Sequence, residues 1–113
     1  MTHSHESILE RARFSVEGLL PAVVQEAGSG TVLMLAWMDA EALRRTLAGG
    51  FVTFWSRSRQ EYWRKGDTSG NHLRLLGLSL DCDADTLLVT VEPVQAACHT
   101  GAHSCFDQSG GAA

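Results

Sequence analysis

Two apolar segments joined by a glycine turn place the strongest constraint on the fold of this chain. Residues 19–27 and 31–37 each have the length of a single strand, and Gly28-Ser29-Gly30 between them is typical of a hairpin turn. The second segment contains VLMLAW, which is nearly all apolar, so we expect this strand to be buried on both faces. The chain therefore needs antiparallel β-structure from its first strands onwards.

One helix and several further strands are predicted after this hairpin. Asp39 is a suitable N-cap for a helix through Leu47, and Gly49 and Gly50 provide its end. The other expected elements are a short polar helix over 6–14 and strands over 51–55, 76–80 and 87–91. Apolar periodicity is absent from residues 56–71, which predicts a long loop of a kind that is usually functional or disordered. The pattern predicts an α+β domain that is mainly antiparallel β.

Length and charge limit the class of protein. The 113 residues, 44% of them hydrophobic, are enough for one compact domain over 1–113, with flexible ends expected over 1–15 and 107–113. No apolar run reaches the ~20 residues of a membrane helix, and the polar start is unlike a signal peptide. We therefore expect a cytoplasmic protein without a membrane partner. The formal net charge of −4 argues against nucleic acid as a partner of the whole chain.

Positive charge is nevertheless concentrated in one segment. Five of the nine basic residues lie close together: Arg57, Arg59, Arg64, Lys65 and Arg74. The loop SRSRQEYWRKGDTSGN combines cations with hydroxyl groups and glycines, a mixture that binds phosphate. The candidate substrate and phosphate ligands are Ser56, Arg57, Ser58, Arg59, Trp63, Lys65, Gly66, Ser69, Gly70 and Asn71. The alternative is a charged surface loop, with Trp55, Tyr62 and Trp63 packing the core instead of stacking on a base.

The densest group of candidate metal ligands follows the strand expected over 76–80. If the extended conformation continues, three carboxylates point to one side of the chain and Cys82 to the other. These carboxylates belong to Asp81, Asp83 and Asp85. Carboxylate oxygens favour Mg²⁺, whereas a thiolate favours Zn²⁺. The alternative is a solvated acidic turn that binds no metal.

Three cysteines are an odd number, which argues against a closed set of disulfides. Cys82, Cys98 and Cys105 match the three protein ligands of a catalytic zinc site, whose fourth position is left to water. Their spacing is not that of a CxxC knuckle, so small buried or idle thiols are the alternative. His99 is the candidate for catalytic proton transfer, unless it is an ordinary core or surface histidine.

The sequence resembles the phosphoribosyl-AMP cyclohydrolase family over residues 31–106, in four segments that follow in order: VLMLAWMDAEAL, FWSRSRQEYWRKGDTSGN, DCDADTLL and CHTGAHSCF. The resemblance implies hydrolysis of the adenine ring of phosphoribosyl-AMP between N1 and C6 by a zinc-activated water. The product is the formimino-AICAR ribonucleotide, and the reaction is the third step of L-histidine biosynthesis. The implied metal ligands are Cys82, Cys98 and Cys105 for zinc and Asp81, Asp83 and Asp85 for magnesium.

The same resemblance implies the architecture. The expected fold is a pseudo-barrel of short strands capped by an α-helix, assembled as a homodimer with zinc ligands shared across the interface. Asp39, Tyr62 and Asp67 stand where asparagine, leucine and glutamate are usual in the family. A monofunctional form is expected, because no phosphoribosyl-ATP pyrophosphohydrolase domain follows before Ala113.

Two other functions fit parts of the pattern. One is another zinc-dependent purine nucleotide hydrolase or deaminase, although the HxE and PCxxC pairing of one deaminase class is missing. The other is a non-catalytic zinc-binding module that recognises nucleic acid through residues 57–74, which the acidic net charge disfavours.

Overall fold

The computed structural model describes residues 5–66, 72–93 and 106. Its elements are α1 (His5–Arg11), β1 (Leu20–Glu26), β2 (Val32–Met38), α2 (Ala40–Gly49), β3 (Thr53–Ser56), β4 (Glu61–Arg64), β5 (Leu73–Leu80) and β6 (Leu87–Pro93). The fold is α+β with mostly antiparallel strands, as the sequence predicts. α1 lies within the segment expected to be a flexible end, and its Ile8 is buried. No helix in these ranges is long and apolar enough to cross a membrane.

The strands form two sheets. Four of them pair in the order β2-β1-β6-β5, in which β1 and β6 run parallel and the other neighbours antiparallel. β3 and β4 form a separate antiparallel hairpin. Hydrogen bonds from Val52 N to Leu73 O (3.1 Å) and from Leu75 N to Gly50 O (2.8 Å) connect the residues just before this hairpin to β5. The described strands form no closed barrel, although their packing is compatible with a pseudo-barrel.

One face of the four-stranded sheet forms the core. Its fully buried side chains on β1 and β6 are Leu20, Ala22, Val24, Leu87, Val89 and Val91. The parallel register places them side by side, because Ala22 pairs with Leu87 and Val24 with Val89. Leu43 of α2 and Phe54 of β3 complete the cluster. Full burial of one such side chain contributes about 1.5–3 kcal/mol, so this layer is the main source of stability.

Both ends of α2 match the sequence prediction. Asp39 Oδ1 accepts a hydrogen bond from Ala42 N at 2.8 Å and caps the N-terminus. Gly50 ends the helix with φ 79°, in the left-handed region, and donates its N–H to Thr46 O at 3.1 Å. Because both ends are capped, the chain leaves β2 and enters β3 at defined positions.

Two predictions about strands are wrong. β2 is not buried on both faces, because it is an edge strand on which Leu35 is 48% exposed and Val32 is 39% exposed. Residues 56–71 are not one loop, because β4 lies within them. β4 has half-buried residues in its middle and exposed residues at both ends, so it lacks the alternation by which a strand is identified in a sequence.

Candidate functional site

The acidic residues after β5 form a tight turn. Asp81 N donates to Thr86 O at 3.0 Å and Ala84 N donates to Asp81 O at 2.9 Å, so β5 and β6 are joined as a hairpin. Ala84 has φ 60°, and Asp85 N donates to Asp81 Oδ1 at 3.1 Å. The extended conformation therefore ends at Leu80, so the condition under which the three carboxylates would point to one side of the chain is not met, because the Asp81 side chain closes a turn.

This acidic turn gives its side chains different surroundings. Asp83 and Asp85 border the same cavity, whereas Asp81 accepts a hydrogen bond within the turn. Cys82 is exposed, with its Sγ 3.8 Å from Asp83 Oδ1. Thiol and carboxylate groups are suitable donors for zinc and magnesium, and their exposure leaves them accessible. Within the described ranges, no three His, Cys, Asp or Glu side chains come together to hold a metal ion, so a metal here needs further ligands.

Part of the predicted site lies outside the described residues. The positions concerned are Cys98, His99, Cys105, Ser69, Gly70 and Asn71. The structure therefore places Cys82 of the predicted zinc ligands, all three aspartates, and the basic loop as far as Gly66.

The segment before β1 packs beside the acidic turn. Arg13 N donates to Ala84 O at 2.7 Å. A cavity of about 600 Å³ opens here, and its wall includes Arg13, Phe14, Trp37, Asp83 and Asp85. Sequence reasoning missed Arg13, because a single charge in a polar segment forms no pattern. Only the fold brings this cation to the cavity of the aspartates.

The turn between β3 and β4, residues 57–60, organises the first part of the basic loop. Ser56 Oγ accepts a hydrogen bond from Arg59 N at 3.1 Å, and Ser56 O accepts one from Gln60 N at 2.8 Å. Ser58 Oγ lies 3.4 Å from Ser56 Oγ. Two hydroxyl groups and the two arginines at 57 and 59 are thus gathered in one tight turn, where they can bind one anionic group.

Lys65 and Gly66 lie at the other end of this hairpin. Lys65 N donates to Val52 O at 3.1 Å, and Lys65 is only 9% exposed. The four residues of β4 separate Lys65 from Gln60 at the end of the hairpin turn, a distance of about 17 Å at the usual rise per residue. The structure therefore brings residues 56–59 together and places Lys65 and Gly66 apart from them.

Aromatic side chains line a second cavity, of about 540 Å³, beside the hairpin turn. Its wall includes Trp37, Trp55, Trp63, Ser56, Arg57 and Ser58. Trp63 also packs on Phe54 with 4.8 Å between ring centroids, so it both stabilises the hairpin and borders the cavity. Flat apolar walls next to hydroxyl and guanidinium groups suit an aromatic base that carries a phosphate. Trp37 borders this cavity and the cavity at the acidic turn.

Asp39 connects the hairpin to α2. Tyr62 Oη donates to Asp39 Oδ2 at 2.6 Å, and the Arg45 guanidinium carbon lies 4.2 Å from the centroid of the Tyr62 ring. The hydrogen bond to Asp39, with partial burial as the second cause, raises the pKa of Tyr62 to about 12, because the bond requires the protonated phenol. β4 is thereby held against the start of α2.

These elements are similar to one family of proteins. The sequence pattern of the phosphoribosyl-AMP cyclohydrolase family matches residues 34–107. A protein of Leifsonia xyli subsp. xyli named phosphoribosyl-AMP cyclohydrolase is 63% identical over 102 residues, which cover 90% of this chain and 82% of that protein. Relatives of the same name are 60% identical in Streptomyces avermitilis, with 88% and 75% covered, and 59% identical in Thermobifida fusca, with 88% and 86% covered. The family match includes the hairpin turn and the acidic turn.

Proposed function

We propose that this chain, which belongs to the phosphoribosyl-AMP cyclohydrolase family, hydrolyses the adenine ring of phosphoribosyl-AMP. The bond broken is N1–C6, the product is the formimino-AICAR ribonucleotide, and the reaction serves L-histidine biosynthesis in the cytoplasm. The observation that carries the proposal is that the acidic turn and the basic hairpin turn border two cavities with a common wall. Candidate metal ligands and candidate phosphate ligands thus lie on adjoining parts of one surface.

The reaction adds one water molecule to the ring. Ribosylation at N1 makes C6 electrophilic, so the water oxygen bonds to C6 and the N1–C6 bond breaks. One proton of the water goes to N1 and the other to the exocyclic nitrogen on C6, so that C6 becomes the carbonyl carbon of a carboxamide. The protein therefore needs groups that activate water, a group that moves a proton, and groups that hold two phosphates.

The donor groups fit two metals. Zn²⁺ would be held by Cys82, Cys98 and Cys105, a set of three ligands that leaves one position open. When bound, zinc supplies a Lewis acid that lowers the pKa of water toward ~7. Mg²⁺ would be held by the carboxylates of the acidic turn, Asp81, Asp83 and Asp85, since oxygen donors suit a hard cation. The three carboxylates do not converge in this structure, so binding would have to draw them together and add further ligands. Cys82 is exposed and its Sγ lies 3.8 Å from Asp83 Oδ1, which supports placing a zinc ligand and a magnesium ligand side by side in the acidic turn.

The other predicted residues act on the substrate. Residues 56–59 bind a phosphate through two hydroxyls and two guanidinium groups. The rest of the loop, with Lys65, Gly66, Ser69, Gly70 and Asn71, is also assigned to the phosphates, and Trp63 to the base. His99 transfers the proton.

A turnover assay on metal-defined protein tests the proposal. We expect chelated protein to be inactive, zinc alone to restore part of the activity, and zinc with magnesium to restore all of it. Cys82→Ser should lose both bound zinc and activity. Asp83→Asn should lose the response to magnesium, whereas Glu92→Gln, which changes an exposed carboxylate on β6 that pairs with Arg74, should keep it. Release of ammonia instead of ring opening, or full activity in zinc-free protein, would contradict the proposal.

A further inference from the structure

Trp37 lies where the two cavities meet, and we infer that the purine ring of the substrate stacks on its indole. The inference rests on the proposed function and adds to it a residue that contacts the base. Nothing in the sequence distinguished Trp37 from the apolar residues around it.

The alternation of β2 keeps Trp37 out of the core. Met38 pairs with Leu20 of β1, and both are fully buried. Trp37 is the neighbour of Met38 and pairs with Pro21, so its side chain lies on the opposite face of the sheet, where it is half-buried. A large aromatic side chain on this face stabilises the core little and is accessible to a ligand.

Arg57 of the hairpin turn lies over Trp37. Its guanidinium carbon is 4.3 Å from the centroid of the Trp37 ring, a typical cation–π distance. The contact covers one face of the indole and holds a phosphate-binding cation against β2. Because Trp37 also borders the cavity of Asp83 and Asp85, a base stacked on it lies between the cations of the hairpin turn and the acidic turn.

An arginine borders each cavity, Arg57 the one and Arg13 the other, so a base on Trp37 has a cation on each side for the two phosphates of the substrate. Phosphoribosyl-AMP carries its phosphoribosyl groups at N1 and N9, on opposite sides of the purine, so the base lies between two phosphates. With the base on Trp37, the N9-linked phosphate reaches toward Arg57. The reacting N1–C6 bond then lies on the side of the cavity that Asp83 and Asp85 of the acidic turn border.

Steady-state kinetics of Trp37→Leu and Trp37→Phe test the inference. Removal of an aromatic platform weakens binding of a stacked base roughly 5- to 150-fold, so KM should rise within this range in Trp37→Leu, with a much smaller change in kcat. Trp37→Phe keeps an aromatic ring and should keep most of the affinity. Trp37→Met replaces the leucine variant if that variant does not fold.

Phe51→Leu is the matched control. Phe51 is also half-buried and has an arginine, Arg64, 5.8 Å from its ring centroid, but it is not among the residues that line the two cavities. Its replacement should leave KM unchanged. A wild-type KM in Trp37→Leu, or in Trp37→Met where it replaces the leucine variant, or an equal rise in Phe51→Leu, overturns the inference.

Two inhibitors separate stacking from an indirect effect through Arg57. Trp37→Leu should weaken inhibition by AMP and leave inhibition by ribose 5-phosphate unchanged, because only AMP carries a base. Equal weakening of both overturns the inference, since Trp37 then acts only by positioning Arg57. If the wild-type protein does not hydrolyse phosphoribosyl-AMP, the proposed function fails, and calorimetry of AMP binding to wild type and Trp37→Leu still decides whether the base stacks.

Discussion

At the scale of single residues, the basic hairpin turn is built so that its cations are available to a ligand. Arg59 contacts Glu61 at 3.6 Å, but both side chains are more than half exposed. An ion pair between exposed groups contributes little free energy, typically about 0–1 kcal/mol, so exchanging it for a phosphate costs little. Arg57 is held over Trp37 and Ser56 is held by its hydrogen bonds, which leaves the turn preorganised.

Arg59→Ala should raise KM for phosphoribosyl-AMP far more than it lowers kcat. A phosphate contact that persists from the ground state to the transition state contributes mainly to binding. Arg44→Ala removes an exposed arginine of α2 that pairs with Glu41 of the same helix, and should change neither constant. A fall in kcat without a change in KM for Arg59→Ala would show that this arginine acts on the reaction step.

His99→Ala should retain zinc and substrate binding and lose roughly 10²- to 10⁴-fold in kcat, the usual contribution of a general acid or base. Metal content and kcat are measured on the same preparation. Loss of zinc in this variant would show that His99 supports the metal ligands. Normal turnover would show that His99 is not the general base, and the aspartates would then be the candidates for that role.

At the scale of secondary-structure elements, Asp39 joins α2 to the β3–β4 hairpin. One carboxylate oxygen caps the helix and the other accepts the Tyr62 hydroxyl. The hairpin carries the proposed phosphate ligands at its turn. The two hydrogen bonds of Asp39 therefore hold these ligands in position relative to α2, although α2 itself does not line the 540 Å³ cavity.

The tyrosinate absorbance of the protein should titrate at about pH 12 instead of 10, and Tyr62 is the single tyrosine, so the signal is unambiguous. Between these pH values the folded chain keeps a proton that the unfolded chain loses, so the contribution of this contact to stability is complete below pH 10 and is lost as the pH rises through 12. Asp39→Asn keeps a good N-cap and should return the pKa toward 10. Titration of the wild type at the ordinary value would contradict the hydrogen bond.

Gly50→Ala should destabilise the protein by about 1–2 kcal/mol, whereas Gly49→Ala should be neutral or stabilise it by up to about 1 kcal/mol. No atom lies within 4 Å of a Cβ added at either glycine, so space does not distinguish them, but only Gly50 has positive φ, at 79°. Denaturant unfolding of both variants measures the difference. Equal stability of the two would show that the helix ends differently in solution.

At the scale of the whole molecule, we predict a homodimer whose zinc ligands come from both subunits. If Cys82 and Cys98 of one site belong to different subunits, a heterodimer of Cys82→Ser and Cys98→Ser chains contains one intact site. Co-expression should then restore about a quarter of wild-type activity, because about half of randomly formed dimers are heterodimers and each has one of two sites. Cys98→Ser alone should be inactive. No recovery on co-expression, or an active monomer by light scattering, would contradict the shared site.

The sequence by itself determined features whose causes lie within a few residues. The caps of α2, the hairpin of β1 and β2, and the strands β5 and β6 were predictable, because capping, turn chemistry and apolar alternation act between near neighbours. The acidic turn and the basic loop were also recognisable in the sequence as clusters of charged or metal-ligating residues, although their backbone conformations were not predictable.

The tertiary structure alone decided which segments meet. It made β2 an edge strand, paired β1 in parallel with β6, brought Arg13 to the acidic turn, and placed Trp37 between two cavities. The physical reason is that burial, strand order and cavity walls depend on the packing of segments far apart in the chain, and periodicity reports only which face of a segment is apolar. The apolar run that contains Trp37 therefore predicted a strand, while its exposed face and its neighbours were set by β1, the hairpin turn and the acidic turn.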